Sequence, residues 1–242
     1  MTIDLTIGAD VKHLRRAGLR PGERLVRDIL RAGPAAFRPL IELATDTELL
    51  HEEPPECYGP IHALRLLGEM PSVDMIAPLL RPLPITRNYA DEQLPQLWLS
   101  ELPQIIGRIG AAAIEPLWAI ADDEARGIPA RTVALVALAY VTVVAPDMRD
   151  AVIAGLRERL STSADPTINA YIVTALGDMG VQDVYADVMK LYREGKINQR
   201  IVPPGTARQM LLSKRDTRLN CARHALWERY DQHGPFEREN AA

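Results

Sequence analysis

The sequence predicts an all-α chain, an α-solenoid of about five antiparallel helix pairs with a terminal capping helix. Three observations lead there. A first-helix pattern recurs as Ala63-Leu-Arg-Leu-Leu-Gly-Glu-Met70, Leu102-Pro-Gln-Ile-Ile-Gly-Arg-Ile109 and Val173-Thr-Ala-Leu-Gly-Asp-Met179, and in weaker form over 25–32 and 136–140. With Arg31, Gly68, Gly107, Ala139 and Gly177 taken as equivalent, the steps are 37, 39, 32 and 38 residues. Self-similarity at such a period is the mark of stacked repeats. A second-helix pattern follows it, Phe37-Arg-Pro-Leu40, Ile76-Ala-Pro-Leu79 and Ile114-Glu-Pro-Leu117, with Pro39, Pro78 and Pro116 in register. Finally, no useful strand-period alternation follows residue 7.

Residues 1–19 read as an arm or a partial cap. Arg20-Pro-Gly-Glu opens the first helix, with Pro21 in the first turn, where its missing N–H costs nothing. Gly33-Pro34 stops it, and 35–44 forms its partner. The next pairs are 59–70 with 73–80, Ser72 serving as an N-cap, then 97–109 with 111–122, and 129–144 with 148–160. Asp165-Pro166 caps the fifth pair, 167–179 with 181–194. A terminal helix near 216–232 caps the array. The three register prolines sit inside helices and are expected to bend them. Residues 20–232 thus read as a single solenoid domain, with 233–242 a flexible tail.

Composition is that of a globular protein: 242 residues, 47% hydrophobic and 25% charged, with only two Phe. The core must come from Leu, Ile, Val and Ala. Met1 to Gly8 has no basic start and no long apolar run, so no leader is expected. The most apolar stretch, 132–145, is too short to span a membrane. Cys57 and Cys221 have no framework spacing, and a reducing cytoplasm is the simplest compartment. Net charge is −4, which argues against sequence-independent nucleic-acid binding. The charge is uneven. Residues 39–64 hold six acids and no Lys or Arg, whereas 193–242 carry ten basic residues against six acids.

The first-helix ending Leu-Gly-x-Met or Ile-Gly-x-Ile, followed by a second helix carrying x-Pro-Leu, resembles HEAT-like repeats. More specifically it is similar to the short kind in bacterial and cyanobacterial phycobilisome-lyase-type proteins. The resemblance covers about residues 21–194, and Arg31 and Ala139 depart from it by replacing the Gly. A second resemblance is to a bacterial HEAT-like domain family of unknown function, sometimes found with a C-terminal SEC-C metal motif. It is carried by 58–68, 130–138 and 184–197. The Cys/His cluster of that motif is missing here, so no metal is carried over.

The candidate partner residues are Glu52, Glu53 and Glu56, on the acidic stretch that joins the first two pairs, and Tyr89 and Trp98, at the end of the long connection 81–96. Acids before a helix also complement its N-terminal partial charge, so a purely solvated role competes. Long connections and aromatics favour contact. His51, Cys57 and His62 have no ligand spacing, and Cys221 with His224 shares one helix face without further ligands. There is no Walker loop, dinucleotide fingerprint, nucleophile elbow or zinc-protease motif. The expectation is a non-catalytic protein-binding scaffold or adaptor. It would hold a protein or peptide, basic in the acidic region's case, on the concave face of the solenoid, with no catalytic residue, cofactor or metal. By analogy alone, two enzyme readings compete: a bilin lyase or isomerase, and a DNA glycosylase of the alkylpurine kind. The glycosylase needs a basic track and an aromatic pocket. Trp98, Trp118 and Trp227 are available, but the net charge opposes the track.

Overall fold

Buried positions are filled almost entirely by Leu, Ile, Val and Ala, as the scarcity of aromatics requires. The structure, a computed structural model, describes residues 2–83, 85, 93–213 and 219–236. Among the described residues there are thirteen α-helices and no strand, and no helix is long and apolar enough to cross a membrane. Contacts gather into two compact units, one of residues 1–105 with 224–242 and one of 106–223. The sequence had suggested one domain over 20–232.

The first unit opens with α1 (Thr2–Arg15), α2 (Glu23–Ala32) and α3 (Pro34–Ala44). Residues 1–19 are therefore more than an arm, since Val11 and Leu14 of α1 are buried and α1 packs on α3. Gly33 ends α2 at φ 54°, a left-handed conformation that favours glycine, and Pro34 starts α3 at once. Then come α4 (Gly59–Glu69), α5 (Ile76–Leu80) and α6 (Gln93–Gly107), the last running into the second unit. α4 packs closely on α3. The weak first-repeat equivalence fails at Arg31, which is exposed where a close helix contact was expected.

The second unit holds α7 (Ile114–Asp122), α8 (Ile128–Val144), α9 (Arg149–Thr162), α10 (Pro166–Asp178), α11 (Tyr185–Arg193) and α12 (Pro204–Leu212). α8 packs on α10 and α10 on α12, with α7 against α8 and α9 against α10. Small residues permit this. A Cβ on Gly107 would meet Tyr140 Cβ at 2.4 Å, and one on Gly177 would meet Met210 Cβ at 2.8 Å. Where Ala139 replaces the Gly it is fully buried.

The prolines act differently from the sequence expectation. Short 3-10 turns at Val73–Met75, Gly110–Ala113, Pro146–Met148 and Gln182–Val184 each lead directly into the following α-helix. Pro78 and Pro116 are the third residues of α5 and α7. They sit where the backbone changes from 3-10 to α, in the first turn, so they start helices instead of bending them. Of the three register prolines, Pro39 alone lies well inside a helix.

The terminal helix α13 (Leu226–His233) starts later than expected, after a 3-10 turn at Leu219–Arg223. It belongs to the first unit and packs on α4. A cap at the far end of the array was expected. The reason lies in its side chains, whose buried polar partners all stand on elements of that unit.

Candidate partner-binding cleft

α4 is buried on every side from Gly59 to Gly68, as a helix at the centre of a unit must be. Two of its buried residues are polar, His62 and Arg65, both with 0% exposure. A buried guanidinium is tolerated only when paired and hydrogen-bonded. Glu101 of α6 supplies the pair: Arg65 Nε donates to Oε2 at 2.9 Å and Nη2 donates to Oε1 at 2.5 Å. The remaining arm, Nη1, donates to the Gly234 carbonyl at 2.5 Å. The guanidinium also lies over the Tyr230 ring, 4.3 Å from its centroid. That geometry adds a cation–π attraction.

His62 completes the set. Its Nε2 lies 2.8 Å from the Gly18 carbonyl and its Nδ1 lies 2.8 Å from the Tyr230 hydroxyl. A carbonyl can only accept, so Nε2 carries a proton. Burial holds the ring neutral at ordinary pH, and Nδ1 then accepts from the Tyr230 hydroxyl. Burial lowers its pKa to about 4; Arg65 pushes the same way and the Gly18 carbonyl opposes. Burial likewise raises the Tyr230 hydroxyl above its ordinary value, keeping it a donor.

These contacts fix the segment after α13, and that segment forms one wall of a cleft of about 240 Å³. Pro235, Phe236 and His233 line it together with Pro54, Cys57 and Tyr58 and with Leu94 and Leu97 of α6. Phe236 is 61% exposed, the most exposed large hydrophobic side chain among the described residues. The stretch that supplies Pro54, Cys57 and Tyr58 also carries Glu52 and Glu53, both exposed, and Glu56, half-buried. Three acids thus stand beside cleft-lining residues on one stretch of chain.

Trp98 is a correction to the sequence reading. Its side chain is fully buried and its Nε1 donates to the Ala44 carbonyl at 3.0 Å, so it ties α6 to α3 and offers no surface. Leu94 and Leu97 of the same helix line the cleft, and Trp98 does not. Tyr89 lies outside the described residues. Arg65, Glu101, Tyr230 and Gly234 were missed. One signal was legible: an Arg inside Ala63-Leu-Arg-Leu-Leu67, a run otherwise wholly apolar.

No family model, no curated protein and no solved structure matches this chain. The residues carry the argument alone.

In the second unit, an open groove of about 530 Å³ runs between α9 and the turn before α11, lined by Arg149, Ile153, Arg157 and Val181 among others. Its charges are already engaged: Arg157 pairs with Asp183, and Arg149 donates to the Met179 carbonyl at 2.7 Å. Trp118 of α7 is covered by Arg159, whose guanidinium lies 3.8 Å from the ring centroid and pairs with Asp122 at 2.5 Å. Trp98 and Trp118 therefore serve packing. Among the described residues no three His, Cys, Asp or Glu side chains are grouped to hold a metal.

Proposed function

We propose that this chain is a non-catalytic protein-binding scaffold of HEAT-like helix pairs, and that the first unit's cleft receives a basic partner segment bearing an apolar anchor. The layered order of α8, α10 and α12 against α7 and α9, with evenly recurring 3-10 turns, supports the solenoid part of this reading. The observation that carries the binding part is the pairing of Glu52, Glu53 and Glu56 with the apolar cleft on one stretch of chain.

The two halves of the site have different work. Exposed ion pairs contribute about 0–1 kcal/mol each, so the acids set approach rate and selectivity. Affinity comes from apolar burial at Tyr58, Leu97 and Phe236, at about 25 cal/mol per Å².

The test uses the full chain and two labelled peptides of equal apolar pattern, one Lys/Leu and one Glu/Leu. The Lys/Leu peptide binds and the Glu/Leu peptide does not. The triple variant E52K/E53K/E56K slows association about tenfold at low salt and flattens its salt dependence. Phe236→Ser speeds dissociation instead. Equal binding of both peptides, or no effect of either variant, rules the cleft out as the partner site.

A further inference from the structure

The C-terminal segment is held to its unit by a set of polar contacts beside the burial of Leu226, Tyr230 and Pro235, and three of the residues involved are histidines. On one side, Tyr230 donates to His62, Arg65 donates to the Gly234 carbonyl, and Arg20 pairs with Asp231 at 2.6 Å. On another, Arg229, only 1% exposed, donates to Gln104 Oε1 at 3.0 Å. At its two ends, His224 Nδ1 and His233 Nε2 lie 3.3 Å apart. Their ring planes differ by 19° and their centroids are 5.5 Å apart. The ring separation exceeds the nitrogen separation by about two ring radii, so the two nitrogens face each other edge to edge. One must donate and the other accept. If both rings were protonated, two N–H donors would collide.

We infer that residues 224–236 form a histidine-gated latch, which closes one wall of the cleft while His62 and His233 are neutral and opens as they take up protons. As regulation of the cleft, this rests on the proposed partner site; the latch itself needs no partner.

Protonation works against closure at His62. A charged ring at 0% exposure would donate from both nitrogens, turning the Tyr230 hydroxyl from donor to acceptor, and would face the Arg65 guanidinium on its own helix. Among the described residues, the other charged or titratable groups around these rings are Tyr58 of the turn before α4, Glu101 of α6, Arg20 of the loop before α2, Arg229 of α13 itself, and the paired histidines. Glu101 favours a charged His233, but burial outweighs it and keeps that ring below its ordinary range, with His224, Arg229 and Arg65 adding in the same direction. Opening relieves each conflict. It brings His62 to water, where its ordinary value is 6.5, and it exposes charges that water solvates well. The apolar groups to be given up are Leu226, Tyr230 and Pro235, all buried, and the half-buried Trp227.

The test is an NMR titration of the full chain from pH 8 to pH 4 with no ligand. It follows the His62 and His233 ring signals, the Tyr230–His62 contact and the amides of α13 and α3. The ratio of closed to open chains should fall up to tenfold per pH unit for His62 alone, roughly 80-fold between pH 6.5 and about 4. The amides of α3 should hold. Melting of α3 together with α13, or a Tyr230–His62 contact that persists once His62 is charged, overturns the latch. His62→Gln supplies an N–H to Gly18 and a carbonyl to Tyr230 without titrating, so it should keep α13 docked at lower pH. An unchanged midpoint also overturns the proposal. Should that variant not fold, H224Q/H233Q must still move the midpoint, and an unmoved midpoint counts against the proposal.

With the Lys/Leu peptide added, binding should fade over the same pH range in the native chain and persist in His62→Gln. A latch that opens as described while the peptide never binds overturns the partner site and its regulation, and leaves the latch standing.

Discussion

Gly107 and Tyr140 touch backbone to backbone: a Cβ on Gly107 would stand 2.4 Å from Tyr140 Cβ and 3.0 Å from its carbonyl carbon. Neither atom belongs to a flexible side-chain end, so any substitution must push α6 and α8 apart.

Gly107→Ala should therefore destabilise the chain by on the order of 1–3 kcal/mol, and Gly107→Leu by more. Gly177→Ala should cost less. Its nearest neighbour, Met210 Cβ at 2.8 Å, is less close than Tyr140 Cβ is to Gly107, and the next atoms belong to the flexible methionine side chain and not to backbone. Denaturant unfolding of the three variants gives the order directly. An order with Gly177→Ala worst would show the contact at Met210 to be the stiffer one.

Arg65→Met leaves the Glu101 carboxylate buried without its partner and should cost about 3–5 kcal/mol. That is a large part of a typical domain's 5–15 kcal/mol. The double variant R65M/E101L should recover part of the loss, though not the bond from Arg65 to the Gly234 carbonyl. A double variant no better than the single one would make Gly234, and not Glu101, the partner that matters.

Stability should depend on pH through His62. Its folded pKa is about 4 against 6.5 for the ordinary group, so below pH 6.5 the unfolded chain binds the proton that the folded chain refuses. The contribution is fully present above about pH 6.5 and is lost as pH falls toward 4, amounting to about 3 kcal/mol. His233 is shifted in the same direction. Unfolding free energy measured from pH 7.5 to 4 should show this slope, and His62→Gln should flatten it.

Asp165 caps α10, its Oδ1 accepting from the backbone N–H of Thr167 at 2.7 Å and of Ile168 at 3.2 Å. Asp165→Ala should lower stability by about 1 kcal/mol, and Asp165→Asn by less. Thermal melts of the two variants test this.

Much of the helical framework was legible because its causes are local. The cap at Asp165, the stop at Gly33-Pro34 and the glycines at 107 and 177 act within a few residues or at a fixed repeat spacing. α12 was not legible. Pro203-Pro204-Gly205-Thr206 reads as a loop, and the apolar stripe of Ala207, Met210 and Leu211 is barely a turn long. The helix is specified by the surface it covers, with Met210 seated against Gly177. At the candidate site, the exposed acids could be read from charge, whereas Trp98 could not be told from a surface aromatic, since burial depends on which way α6 is turned.

The sequence by itself determined an all-helical chain, the recurrence of its helix pairs, the places where helices start and stop, and the acidic stretch at Glu52, Glu53 and Glu56. Hydrogen bonds within a turn and periods of a few residues encode those properties directly. Only the tertiary structure decided that α13 joins the first unit, that Arg65 is neutralised by Glu101, and that Gly234 to Phe236 form a cleft wall with Pro54 and Tyr58. Arg65 meets Glu101 and Gly234 across 36 and 169 positions, and the cleft wall joins residues further apart still. Nothing local distinguishes Tyr230 as the partner of His62; the choice is made by which buried donor and acceptor meet once the helices are packed.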